Sequence, residues 1–330
     1  MPRVRRLPSG PGGHLLGYHI NSPLGIAAGP LLNAKWVEAY ARVGWDVLTY
    51  GSVRSRPHQA LALPNIRPVE NREQVAVASR RPQLNGDTTI AVSLGLPSME
   101  PHVWCRDVQR ARERLGGGQL LIVSVVGSAE PGDTPDALIA DYAQCAMWAA
   151  DAGAHAVEVN LAVADPFGEP GQLVYEHLPL AARILHRVRT TIGIPVLAKF
   201  GLFRTPRMLH ETATKLASWA NGFVLVHGIP RRVLDDEGKA AFEGTGREWA
   251  NVVGAATFPV ASRQVEEMLA WRKAGAWPHA ILAVGGITTV ERARHVLREG
   301  ADAALVATAA LYDPLLSMRF RQATAASAVA

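Results

Sequence analysis

The sequence predicts an α/β fold of the (β/α)8 TIM-barrel class, with long loops after the second and sixth strands. Three observations predict it. Eight short apolar runs rich in β-branched residues alternate with amphipathic stretches, which is the pattern of a parallel sheet with crossover helices. The 330 residues suffice for one barrel with insertions. Near the end, Ile281-Leu282-Ala283-Val284-Gly285-Gly286-Ile287, a helical segment from about Val290 to Glu299, and Ala304-Leu305-Val306-Ala307-Thr308-Ala309 form a β-α-β unit whose strands both end in small residues.

In chain order, strands are expected at Leu24–Ala28, Asp46–Tyr50, Leu120–Val126, Ala156–Asn160, Pro195–Lys199, Phe223–His227, Ala280–Val284 and Ala303–Ala307. Helices are expected near Ala34–Val43, Ser98–Leu115, Thr134–Ala152, Leu180–Thr190, Pro206–Ala220, Val260–Ala274 and Val290–Glu299, with a last one after Pro314. Gly153, Gly193, Gly275 and Gly300 stand just past helix ends, where a left-handed residue closes the final turn. The connections from Gly51 to Pro97 and from Gly228 to about Gly254 are too long for simple βα turns. Both follow strands, so they belong on the C-terminal face and are expected to cover substrate. The polar run Asp235-Asp236-Glu237-Gly238-Lys239 also fits a disordered insert. No repeat or linker divides the chain, so residues 1–330 read as a single domain.

Composition narrows the function. With 48% hydrophobic residues the chain can bury a large core, yet no apolar run reaches the roughly 18 residues that span a bilayer. The basic start, Met1-Pro2-Arg3-Val4-Arg5-Arg6-Leu7-Pro8, leads into Ser9-Gly10-Pro11-Gly12-Gly13 and not into an apolar signal core. A cytoplasmic location is expected. Cys105 and Cys145 lie far apart without a C-x-x-C pattern, which argues against disulfides or a metal site and for helix packing. The net charge of +5 comes from scattered arginines, with small clusters at Arg3/Arg5/Arg6, Arg80/Arg81 and Arg231/Arg232. No aromatic residues interleave with them, so nucleic acid is not the expected partner. A basic surface is compatible with an anionic substrate or cofactor.

The small residues at the last two strand ends let a ligand approach backbone N–H groups, and Thr308 adds a hydroxyl. Phosphate binds where such donors converge, and in this fold class the loops after the seventh and eighth strands are the usual phosphate site. Polar side chains also close other strands. Lys199 ends Pro195-Val196-Leu197-Ala198-Lys199, and a lysine at a barrel mouth can bind an anion, hold an electron-rich ring edge or serve as a Schiff-base amine. Asn160, His227 and Tyr50 close the fourth, sixth and second strands. Asn160 can donate and accept hydrogen bonds, and His227 and Tyr50 can each act as a proton-transfer group or as a hydrogen-bonding wall.

At these residues the chain resembles the dihydroorotate dehydrogenase family, which includes the matching domain of dihydropyrimidine dehydrogenase. The resemblance runs from Asn21 to about Pro314. It rests on Asn21-Ser22-Pro23-Leu24-Gly25-Ile26-Ala27-Ala28-Gly29, Tyr50-Gly51-Ser52-Val53-Arg54-Ser55-Arg56-Pro57 and Ser93-Leu94-Gly95-Leu96-Pro97. It also includes Glu158-Val159-Asn160-Leu161, Ala198-Lys199, Gly285-Gly286 and Ala307-Thr308-Ala309. The resemblance implies an FMN-dependent CH–CH oxidoreductase with FMN across the barrel mouth. Ala27, Ala28 and Gly29 would lie beside the isoalloxazine ring, with Ser52 nearby. Asn160 and Lys199 would meet its polar edge, and Gly254, Gly285, Gly286, Ala307 and Thr308 would cradle the phosphate. A cation at that edge favours the reduced, anionic flavin.

The departures concern substrate. The family's loop after the fourth strand carries a Cys or Ser base; here it reads Asn160-Leu161-Ala162-Val163-Ala164-Asp165-Pro166, with Val163 at the base position. Of the asparagines that hold orotate in the family, Asn160 remains, while Val92, Asp165 and His227 replace the others and Gly228 replaces a Ser or Thr. Burying orotate's polar edges against valine would cost about 1–3 kcal/mol for each unpaired group. A substrate other than dihydroorotate is therefore expected, contacted by Asn160, Asp165 and His227. His227, Asp165 and Tyr50 are the candidate proton-transfer groups, with His227 first because an imidazole titrates near working pH. No N-terminal helical extension of the kind that docks membrane-bound members on quinone is expected. The electron partner is open, and a homodimer is the candidate assembly. Two other readings stand beside this one: a flavin-free phosphate-binding lyase or aldolase using Lys199, and an FMN-binding homologue without catalysis.

Overall fold

The computed structural model describes residues 7–79, 84–275 and 277–327. The arginine clusters at 3/5/6 and 80/81 lie outside the described residues. The chain opens with a hairpin, β1 (Gly13–Leu15) and β2 (Tyr18–Ile20), followed by β3 (Leu24–Leu31), α1 (Ala34–Ala41) and β4 (Val47–Val53). Three short strands come next, β5 (Ile66–Asn71), β6 (Val75–Ala78) and β7 (Thr89–Val92). Alternation then resumes with α2 (Pro101–Arg114), β8 (Leu120–Val125), α3 (Pro135–Asp151), β9 (Ala156–Asn160), α4 (Leu178–Thr191), β10 (Val196–Lys199), α5 (Pro206–Ala217) and β11 (Gly222–Leu225). A second excursion forms β12 (Ile229–Leu234) and β13 (Trp249–Gly254). The chain finishes with α6 (Phe258–Lys273), β14 (Ala280–Val284), α7 (Val290–Arg298), β15 (Ala303–Val306), α8 (Thr308–Tyr312) and α9 (Leu316–Ser327).

Eight parallel strands close a TIM barrel in the order β10-β11-β14-β15-β3-β4-β8-β9. Side chains two residues apart share a face of a strand, so each strand presents an inward row. The lower part of that interior is apolar: Val47, Ile122, Ala156, Leu197, Leu282 and Leu305 form one buried cluster, joined by Leu15 and Ile20 of the hairpin. The hairpin thus floors the barrel. Two residues further along the same rows the interior turns polar, at Ser124, Glu158 and Lys199, all buried. That gradient points the chemistry at the C-terminal mouth.

The two long connections differ from the expected loops. Their strands pair with each other into a five-stranded closed sheet in the order β12-β13-β7-β5-β6, with a small core that includes Val69, Ala76, Val233, Phe242 and Val252. The pairs β13–β7 and β12–β6 join the second excursion to the first. Neither excursion could satisfy its own backbone alone, and pairing across more than a hundred residues of chain leaves no local signature. Arg247 fastens the two, donating from Nε to Ser93 Oγ at 3.1 Å and from its second terminal nitrogen to the Pro64 carbonyl at 3.3 Å. Residues 235–239 are an ordered turn, not a disordered insert: Asp235 Oδ1 accepts from the N–H groups of Glu237 (3.0 Å) and Lys239 (2.8 Å).

Smaller corrections concern element ends. Gly153, Gly275 and Gly300 have positive φ as expected, but Gly193 does not, because α4 ends through Ile192 in an extended conformation at φ −120°. The second barrel strand runs past Tyr50 to Val53 with a register shift between them, and the sixth stops at Leu225, two residues before His227.

Candidate active site

A cavity of about 640 Å³ lies between the barrel mouth and the small sheet that roofs it. This is within the usual range for a small-molecule or cofactor site, about 300–1,000 Å³. The barrel contributes Ala27, Ala28, Gly29, Lys199, Ala307 and Thr308. The roof contributes Val92, Arg247, Trp249 and Asn251, and His227 stands between the two.

Lys199 ends β10 and is buried, with Nζ 3.3 Å from Glu158 Oε1. An ammonium has three donors, and this is its one bond to protein among the described residues, so two remain for a ligand. Glu158 Oε2 has no partner. Asn160 lies beneath the cavity wall: its amide nitrogen donates to Ser52 Oγ at 3.4 Å, and its Oδ1 accepts from the Ala162 N–H at 3.1 Å. Ser52 Oγ is also 3.0 Å from Ser124 Oγ. Ser52 and Asn160 are therefore buried supports and not exposed walls, because the polar row turns toward its own neighbours.

On the other side of the mouth, Thr308 is buried and its Oγ1 has no hydrogen-bond partner. Gly254, Gly285 and Gly286 all have positive φ, at 94°, 112° and 70°. They stand behind the cavity wall rather than forming it. A Cβ on Gly286 would fall 2.3 Å from the Phe258 backbone nitrogen, and one on Gly285 would fall 2.7 Å from Ala261 Cβ. These glycines let the turn after β14 press onto the start of α6. Gly29 differs: it lines the cavity with φ 129°, and a Cβ there would meet open space.

The three candidate proton-transfer residues separate. His227 lines the cavity and is half-buried. Burial, and then the nearby Lys199 charge, push its imidazole down to about 3, so it is neutral at ordinary pH and the expectation of titration near neutrality does not hold. Asp165 faces its own loop: Oδ2 pairs with His177 Nδ1 at 2.7 Å and Oδ1 accepts from the Phe167 N–H at 2.9 Å, leaving its side chain buried away from the cavity. Tyr50 points outward between strand and helix and donates to Asp107 Oδ2 at 2.9 Å. Burial and the Asp107 charge raise its hydroxyl pKa. In this structure Asp165 and Tyr50 thus face local partners and not the cavity. Val92 and Val163 do line the cavity, as their place in the sequence implied.

Sequence reasoning missed Glu158, Arg54, Arg247 and Asn251. Glu158 was legible, since it alternates with Asn160 on one strand and must share its inward row. Arg54 lies inside the Tyr50–Pro57 segment, whose residue types do not show that its side chain reaches the cavity. Arg247 and Asn251 reach the cavity only because the two excursions pair, and nothing local marks them.

The fold and site define an α/β-barrel protein with a cofactor-sized cavity at its C-terminal mouth. No family model matches the sequence. The chain is 29% identical over 324 residues to a dihydroorotate dehydrogenase of Dictyostelium discoideum, covering 92% of this chain and 86% of that protein. It is also 29% identical over 166 residues to the catalytic subunit of dihydroorotate dehydrogenase B (NAD(+)) of Thermodesulfovibrio yellowstonii, covering 50% of this chain and 52% of that one. Over most of its length the chain is thus similar to proteins named dihydroorotate dehydrogenase, which are oxidoreductases. Among its described residues no helix is long and apolar enough to cross a membrane.

Proposed function

We propose that this protein is an FMN-dependent oxidoreductase acting on a small polar or anionic substrate other than dihydroorotate. The observation that carries the reading is a pair of waiting donors facing one cavity. Lys199 keeps two ammonium protons free of protein partners on one side, and the buried Thr308 hydroxyl has none on the other. A planar ring edge and a phosphate are the groups these donors suit.

Bound FMN would supply hydride transfer at N5. Lys199 would hold the ring's pyrimidine edge, with Glu158 fixing the lysine's direction from below. Ala27, Ala28 and Gly29 offer a flat wall of small groups for the ring. Thr308 would donate to the phosphate beside the turn of Gly285 and Gly286. The roof of Val92, Trp249 and Asn251 would keep water from the reacting carbon. His227 would stand over the substrate as a neutral hydrogen-bonding wall. A Schiff-base reading needs Lys199 as a free nucleophilic amine, and its engagement with Glu158 disfavours that use.

The test is the colour of the purified protein and its anaerobic reduction. Oxidised-flavin absorbance should copurify, and dihydroorotate should bleach it slowly or not at all. Val163 offers no base, and Val92 leaves orotate's polar edge unpaired. A colourless protein that takes up no FMN would refute the cofactor assignment, and fast bleaching by dihydroorotate would refute the substrate assignment.

A further inference from the structure

The two sides of the cavity differ in chemistry. The side formed by β14 and β15 carries Thr308. Across the barrel, the end of β4 carries Arg54, beside β8. Arg54 follows Val53 directly, and its side chain lines the cavity. Its Nε donates to the Leu96 carbonyl at 3.3 Å, and one terminal nitrogen donates to the Gly127 carbonyl (3.3 Å) and Ser128 Oγ (3.2 Å). All three acceptors are uncharged. Among the described residues, no carboxylate lies within ion-pair distance of the guanidinium, and its other terminal nitrogen has no protein partner.

The surroundings of this cation are apolar. Leu61, Val92, Leu94, Leu96, Val163 and Leu173 share the cavity with it. The Asp141 carboxylate, which accepts from the Ser128 N–H at 2.7 Å, supports the charge from beyond ion-pair distance, but a cation with no contacting counter-charge among such groups is still costly. Nε and one terminal nitrogen are held by three fixed acceptors, and the second terminal nitrogen keeps two N–H groups to donate to an anionic oxygen. The apolar character also continues outward: Leu61, Ile66, Trp249 and Leu311 line the cavity and are 37%, 40%, 61% and 53% exposed. Exposed apolar side chains at a cavity rim mark where an apolar part of a ligand can lie.

We propose that the substrate is an apolar carboxylic acid, held by its carboxylate on Arg54 and by its hydrocarbon part on the leucine and valine walls, extending toward the rim. This deepens the oxidoreductase reading and rests on it for the identity of the site. It assigns Arg54 as the residue that selects the anionic end, and it accounts for Val92 and Val163 as packing surface for the rest.

Isothermal calorimetry on the protein as purified, with flavin content measured in the same sample, tests it. The probes are 4-phenylbutanoate, 4-phenylbutanamide and orotate. The acid should bind at least about tenfold more tightly than its amide, as expected for loss of one charge-assisted hydrogen-bond pair, and more tightly than orotate. Arg54→Met should remove the preference for acid over amide, and Arg54→Lys should keep part of it. Equal binding of acid and amide, or an acid preference that survives in Arg54→Met, would overturn the proposal. Orotate binding as tightly as the phenyl acid would overturn its apolar half. Should Arg54→Met not fold, the wild-type comparison and Arg54→Lys decide alone. Acid selectivity in a protein that holds no flavin would sink the cofactor reading and leave this assignment of Arg54 standing.

Discussion

Lys199 Nζ and Glu158 Oε1 lie 3.3 Å apart inside the barrel, both side chains buried, with the lysine facing the cavity and the glutamate beneath it. The adjacent strands β9 and β10 place them: Leu197 is the register partner of Glu158, and Lys199 stands two residues on, in the same inward row. The pair couples fold stability to the proposed cofactor site. Glu158→Gln leaves a buried ammonium without its counter-charge and should lower unfolding free energy by about 3–5 kcal/mol. Urea unfolding of the flavin-free protein measures it. The double variant Glu158→Gln/Lys199→Met should recover much of the loss, and no recovery would show that the glutamate acts through other partners.

Thr308 gives the cleanest test of the phosphate position. Its Oγ1 makes no protein hydrogen bond, so Thr308→Val should leave the flavin-free fold as stable as before. FMN affinity should fall by about 10- to 100-fold, the equivalent of one hydrogen bond to a charged group. Titration of flavin-free protein with FMN reads this directly. Gly286→Asp is a poorer test, because any side chain there meets the Phe258 backbone at 2.3 Å and disturbs α6 whether or not flavin binds.

His227 should behave as a wall. With its imidazole pushed down to about 3, it stays neutral and does not change protonation state near neutrality. The pH profile of flavin reduction should show no limb from this residue between about pH 5 and 8. His227→Asn, which keeps a donor and an acceptor, should retain turnover within about tenfold. A loss of more than about 10² with disappearance of a neutral limb would restore it as the proton-transfer group.

His155 should make stability depend on pH. Its Nδ1 accepts from the Leu121 N–H at 2.9 Å, and burial followed by the Arg112 charge lowers its pKa from 6.5 to about 4. The unfolded chain therefore binds the proton first as pH falls. The stability this histidine contributes is complete above about pH 6.5, is lost progressively toward pH 4, and changes no further below it. His155→Gln should flatten the rise of the urea midpoint across that window. An unchanged slope would place the titration elsewhere.

The barrel was legible in the residues alone. Eight apolar runs at βα spacing set the strands, and Lys199 and Thr308 were legible as cavity residues because a strand's end fixes where its last side chains point. Val92 and Val163 were legible as apolar substitutions for the same reason. The tertiary structure alone decided the roof, whose strands pair across distant chain segments and bring Arg247 and Asn251 to the cavity. It alone also sorted the proton-transfer candidates. Asp165 and Tyr50 are polar residues near the mouth, but rotation toward His177 and Asp107 satisfies them locally and removes them from the site. Residue type and spacing fix which face of a strand a side chain occupies; partner geometry beyond the strand end depends on loops, whose hydrogen bonds are set by contacts that no local pattern encodes.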